Sequence, residues 1–153
     1  MKYLSQFLIV CLIAFSVSAS AQTRPVTKFK PPKLVTQIGS YRDSVAITVA
    51  EAEQLVGASL KIFDDKKGAY SVSSYQFVYR KIGVTEDEPM GKVTPTFTLT
   101  ASLFKTTPLP ATWVQQLKEQ VKPGDELWFV GVIAKDAQGR VMYAPDVKFK
   151  VVK

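Results

Sequence analysis

Along most of the chain hydrophobic and polar residues alternate with a period of two, and only two stretches switch to helical spacing. Leu34–Ile38 is a first predicted strand, followed by a turn over residues 39–44. Thr48-Val49-Ala50-Glu51 matches the S/T-x-x-E capping box, in which each of the end residues bonds the other's backbone N–H. A two-turn helix is therefore predicted over Val49–Val56, with Gly57 ending it in a left-handed cap. Leu60 and Ile62 alternate with Lys61 before a turn cluster, Asp64-Asp65-Lys66-Lys67-Gly68. Tyr70–Lys81 reads as a long strand with Tyr75, Phe77 and Tyr79 on one face and Ser74, Gln76, Val78 and Arg80 on the other. The polar stretch Gly83–Lys92 predicts a loop.

In the next strand Phe97, Leu99, Ala101 and Leu103 alternate with Thr96, Thr98, Thr100 and Ser102, which predicts apolar side chains inside and hydroxyls outside. Beyond Pro108 and Pro110, Trp113, Val114, Leu117 and Val121 form one helical stripe, stopped by Lys122-Pro123-Gly124-Asp125. Leu127–Ala134 is apolar on both faces, as in a strand covered on each side. Asp136–Gly139 is a hairpin turn and Arg140–Tyr143 the returning strand. Val147, Phe149 and Val151 alternate with Lys148 and Lys150 in a last strand read as an edge, because edge lysines discourage association. The fold class expected is mostly β with α+β character: a β-sandwich-like domain with two short helices at crossovers.

Residues 1–21 have a different grammar. Lys2 precedes an apolar run, Phe7–Val17, and Ala19-Ser20-Ala21 is an A-x-A site, the order of a signal peptide cut between Ala21 and Gln22. A run of 11 residues as a helix spans about 16 Å, roughly half the hydrocarbon core, so a spanning anchor is disfavoured. The expected division is a signal peptide (1–21), a basic Pro-rich leader (22–33) and a single domain (34–153). The expected location is the periplasm or cell envelope after export across the inner membrane, with no membrane span after cleavage.

Composition narrows the chemistry. The 153 residues include no His, and the one Cys, Cys11, lies in the segment expected to be removed. A mature chain without either has no His-activated nucleophile, His-ligated metal, Cys thiolate site or disulfide, so no enzyme activity, metal or cofactor is expected. Net charge is +7, yet from Leu34 onward 15 basic residues face 13 acidic ones, and Arg24, Lys28, Lys30 and Lys33 supply much of the excess. A nucleic-acid binder carries its cations on the folded face that docks, so no nucleic-acid partner is expected. The leader reads as a solvated, extended segment or as an electrostatic tether to an anionic surface. Asp64-Asp65 reads as a solvated turn, and Glu86-Asp87-Glu88 as an exposed loop or a charged rim for a basic partner. The candidate partner-binding residues are Tyr75, Tyr79 and Trp128, each of which serves either as core or as an anchor of large area and low entropy cost.

The second half also carries a family pattern. Ser73-Ser74-Tyr75-Gln76-Phe77 leads to the helix ending Leu117-Lys118 and then to Val121-Lys122-Pro123-Gly124-Asp125-Glu126-Leu127-Trp128-Phe129. Asp136-Ala137-Gln138-Gly139-Arg140 and Ala144-Pro145-Asp146-Val147 follow. This resembles the C-terminal domain of GldM, the periplasmic shaft protein of the Bacteroidota gliding and type IX secretion machinery, over about residues 34–153. The resemblance implies a β-rich, non-enzymatic module that contacts an envelope or outer-membrane-associated protein. GldM itself begins with a transmembrane helix coupled to a motor, whereas a cleavable signal is expected here, so only the binding module is implied. The alternative is an independent small-molecule or glycan-binding β-sandwich.

Overall fold

The computed structural model describes residues 29–87 and 92–153. Pro31–Lys153 form one compact unit. The expected signal peptide and most of the basic leader lie outside the described residues.

Among the described residues ten elements follow one another: β1 (Leu34–Ile38), β2 (Val45–Thr48), α1 (Val49–Leu55), β3 (Leu60–Asp64), β4 (Ala69–Asp87), β5 (Lys92–Phe104), α2 (Ala111–Gln120), β6 (Glu126–Lys135), β7 (Val141–Tyr143) and β8 (Val147–Val152). The described residues are mostly β with two short helices, as the pattern predicts. All eight strands belong to one hydrogen-bonded sheet, ordered β1-β3-β4-β6-β8-β2, with β5 on β4 and β7 on β6. The layering expected of a sandwich comes instead from the curl of this sheet. Thr36 on β1 donates its hydroxyl to the Pro145 carbonyl at 2.6 Å, joining one end of the sheet to the segment before β8.

β4 organises the molecule. Its first residues pair with β3 only at Ile62↔Tyr70 and Phe63↔Ala69. β5 then takes the same edge from Tyr75↔Phe104 to Asp87↔Lys92, while β6 holds the opposite edge from Ser71↔Lys135 to Arg80↔Glu126. The core lies on the inner face, where Tyr75, Phe77, Leu127, Phe129, Val147 and Phe149 are buried. The Phe77 and Phe129 rings meet edge-on at 5.0 Å, a favourable aromatic geometry. Leu55 from α1 and Leu117 from α2 close this core.

Local chemistry explains the helix ends. Thr48 accepts from the Glu51 N–H, and Glu51 accepts from the Thr48 N–H at 2.7 Å, completing the predicted capping box. α2 stops where Val121 turns extended and Gly124 takes φ +99. A side chain at Gly124 would also meet Ile82 at 2.8 Å. In β6, Gly131 at φ +59 shifts the inward set from Leu127 and Phe129 to Val132 and Ala134, a one-residue bulge; the strand has buried residues on this one face only, where cover on both faces was expected.

Several expectations are corrected. Gly57 is not among the residues of positive φ; Val56 ends α1 in a right-handed conformation with its N–H on Ala52. The predicted loop 83–92 is strand as far as Asp87 and again from Lys92, because β4 and β5 pair to the end of the hairpin. The short strand β2 pairs parallel with β8, so β8 is flanked by β6 and β2 and is no edge. Lys148 and Lys150 are exposed because they alternate with buried Val147, Phe149 and Val151, not because the strand is peripheral. The largest correction concerns β5. Phe97, Leu99 and Leu103 are 49%, 61% and 65% exposed. Thr98 and Thr100 instead face α2, sharing a small pocket with Trp113, Leu117 and Gln120.

Candidate functional site

Opposed residues in an antiparallel ladder share a face, so the register of β4 fixes what β5 presents. Tyr79↔Thr100 and Phe77↔Ser102 put the hydroxyl residues on the core side. Arg80↔Leu99, Ile82↔Phe97 and Val78↔Ala101 put the apolar residues on the outer side. The same face continues onto β6 through Val78↔Trp128 and Arg80↔Glu126, then onto β8 through Trp128↔Lys148 and Glu126↔Lys150. No described element covers it near the hairpin, where Val84 is 72% exposed alongside the three large β5 side chains.

Polar contacts fix the middle of this face. The Arg80 guanidinium lies 3.6 Å from the centre of the Phe97 ring. Arg80 also donates to Glu126 Oε1 at 2.8 Å, and the Trp128 indole N–H donates to Glu126 Oε2 at 3.0 Å. The Lys148 ammonium stands 5.0 Å from the Trp128 ring. Phe97, Arg80, Glu126, Trp128 and Lys148 thus form one row across four strands. Stacking and the two hydrogen bonds accepted by Glu126 restrict the rotamers of these long side chains. Aromatic and arginine side chains are the types that anchor interfaces.

The sequence-predicted residues separate. Tyr75 and Tyr79 are 1% and 5% exposed. The Tyr75 hydroxyl donates to the Thr106 carbonyl at 3.2 Å, and burial pushes it up to about 12. Tyr79 donates to Asp125 Oδ2 at 2.6 Å; burial, then the hydrogen bond to Asp125, hold its hydroxyl well above the ordinary range. Neither ring offers area to a partner. Trp128 is half-buried on the outer face, beside residues the alternation assigns to the core. Arg80, Glu126, Phe97, Leu99 and Leu103 are the residues the sequence reading passes over. The available signal was competition: Tyr75, Phe77 and Tyr79 already claim the inner face of β4, and β5 must follow its register.

The other readings fall elsewhere. Asp64 accepts from the Lys66 and Gly68 N–H groups and from the Tyr70 hydroxyl, so it builds its turn. The Gly68 N–H does most to lower its carboxyl below the usual range. Glu86 and Asp87 end β4, and Glu88 lies outside the described residues. Among the described residues, no helix is long and apolar enough to cross a membrane, and no three His, Cys, Asp or Glu side chains gather where they would hold a metal ion.

A second feature lies where β3 and β4 part after Tyr70. A groove of about 740 Å³ opens there, lined by Val35, Phe63 and Val72 with Arg42, Lys61 and Tyr70. Arg42 stacks 5.1 Å from the Phe63 ring.

No family model matches the chain, and no curated protein matches it.

Proposed function

We propose that this chain is an exported, non-enzymatic interaction module of the periplasm or cell envelope that binds a protein partner through the outer face of β4, β5 and β6. The single observation carrying this reading is the contiguous exposure of Val84, Phe97, Leu99 and Leu103 on one hairpin face. Clustered apolar area of this kind, next to a held Arg–Glu–Trp row, has the composition of a binding surface rather than of a solvated sheet. The expected signal peptide supports export, and the resemblance to the GldM C-terminal domain supports an envelope or outer-membrane-associated partner, with a place beside the gliding or type IX secretion machinery. The basic leader adds long-range attraction to an anionic partner or surface.

The test is affinity capture from envelope extract, comparing the wild-type chain with a Val84→Asp variant. The reading predicts at least one envelope protein enriched by the wild type and reduced about tenfold by the variant, roughly 1.4 kcal/mol of binding. Equal recovery by both, or no envelope protein above background, contradicts it.

The groove between β3 and β4 favours the second reading, an independent small-molecule or glycan binder. Its volume of about 740 Å³ lies within the usual range of ligand sites. Titration with a glycan panel, followed through resonances of Phe63 and Tyr70, separates the two readings. Saturable shifts there with unchanged protein capture would favour the ligand.

A further inference from the structure

The backbone of β5 carries information that its side chains do not. In an antiparallel strand successive residues send their N–H and C=O groups to opposite edges. Ile82 on β4 donates its N–H to Asp125 on the β6 side at 2.9 Å. Lys81 and Gly83 therefore point toward β5, and their partners Thr98 and Thr96 point back. It follows that Phe97, Leu99, Ala101 and Leu103 direct their N–H and C=O groups away from β4. No strand of the described residues lies beyond β5 on that side. Pro95 fits the same phase, because the donor it lacks belongs on the outward edge.

Apart from Pro95, this edge lacks the usual protections. Val93–Phe104 contains no Asp, Glu, Lys or Arg, although the chain as a whole carries +7. The strand is 13 residues long, whereas β1 and β2, at the ends of the strand order, have 5 and 4. A long, uncharged edge is a template for another strand.

We propose that the β5 edge pairs with the β5 edge of a second copy of this chain, antiparallel about a two-fold axis at Leu99. The inference goes beyond the partner reading above, because it uses the backbone edge rather than the outer face. The sequence of the strand is complementary to itself in this register. Leu99 meets Leu99 of the second copy, Phe97 meets the small Ala101, and Leu103 meets Pro95, all on the outer face. On the inner face Thr98 meets Thr100 and Thr96 meets Ser102, pairs that suit cross-strand hydroxyl contact. The neutral strip lets two basic chains approach without opposing charges in the ladder. Some eight backbone hydrogen bonds form, because the outward residues on both strands exchange N–H and C=O groups in pairs and Pro95 supplies a carbonyl only. The two-fold axis consumes both edges, so association stops at a dimer instead of growing into a fibre. It also joins the outer faces of the two copies into one wider surface.

Sedimentation velocity on the full chain, from micromolar to sub-millimolar concentration, tests the proposal. The wild type sediments as a monomer–dimer equilibrium. Ala101→Pro removes an outward N–H while keeping every bond to β4, and it weakens dimerisation by about tenfold or more with an unchanged far-ultraviolet spectrum. Leu99→Lys, which sets two ammonium groups against each other across the axis, gives the same result at an exposed position should the proline variant fail to fold. Val84→Asp lies off the edge and leaves the dimer intact while it weakens partner capture. A monomer at every concentration, or a dimer indifferent to both edge variants, overturns the proposal without touching the partner reading.

Discussion

Asp125 is fully buried and accepts three hydrogen bonds: from the Tyr79 hydroxyl at 2.6 Å, the Ile82 N–H at 2.9 Å and the Lys122 N–H at 3.1 Å. It joins the turn before β6 to β4 and holds the β4 register on which the outer face depends. Asp125→Ala leaves the Ile82 and Lys122 N–H groups without an acceptor and the Tyr79 hydroxyl with only the Gln120 carbonyl at 3.3 Å; it is expected to cost about 3 kcal/mol, against about 1 kcal/mol for Tyr79→Phe. Chemical denaturation measures both. The buried tyrosines also set the alkaline limit of stability. Tyr75 titrates near 12 in the fold because burial disfavours its charged form, above the ordinary 10. A group whose folded pKa is raised gives its full stabilisation below the unfolded pKa and loses it as pH rises through the folded one. Stability should therefore fall from about pH 10 toward pH 12, with a shallower fall in Tyr75→Phe. A wild-type limb no steeper than the variant's would show that Tyr75 ionises as freely in the fold as outside it.

Among the elements, the hairpin of β4 and β5 gives the sharpest contrast. Phe77 is buried on its inner face and Leu99 is 61% exposed on its outer one. Phe77→Ala should cost about 3–5 kcal/mol, while Leu99→Ser, measured at a concentration that keeps the chain monomeric, should stay within about 0.5 kcal/mol. Comparable losses at the two positions would mean that β5 faces the other way. Thr48→Ala should destabilise by about 1 kcal/mol through loss of the α1 cap.

What was legible in the sequence follows the range of the interaction. The Thr48–Glu51 box and the Asp64 turn are built from bonds within four residues, and both are found where the pattern predicts them. The stripe of α2 is likewise read from spacing, since Leu117 and Val121 are buried with Trp113 and Val114 packed against the core. β2 was unreadable, because its pairing partner β8 lies about a hundred residues away and four residues carry little pattern of their own. Alternation in β5 gives the period of the strand but not its sign. The register to β4 decides that, and a single-residue change of phase exchanges the faces. The sequence leaves Trp128 between core and anchor, whereas its row with Arg80 and Glu126 depends on the pairing of β4 with β6.

Over Pro31–Lys153 the sheet curls around one core, and no described element covers the far side of β4 and β5 near the hairpin. Its inner aromatic residues account for stability, so the outer apolar residues are available for adhesion. The most direct measurement is maleimide labelling of Val84→Cys in a Cys11→Ser background, comparing dilute purified protein with intact cells whose envelope admits the reagent. Val84 is on the outer face but off the β5 edge, so self-association does not shield it. Tyr143→Cys, at a position 80% exposed on β7, serves as the reference. The account predicts labelling of Val84→Cys about tenfold slower in the envelope than in purified protein, with equal rates at Tyr143→Cys. Equal rates at both positions would mean that the face stays bare where the protein works, and would contradict the account.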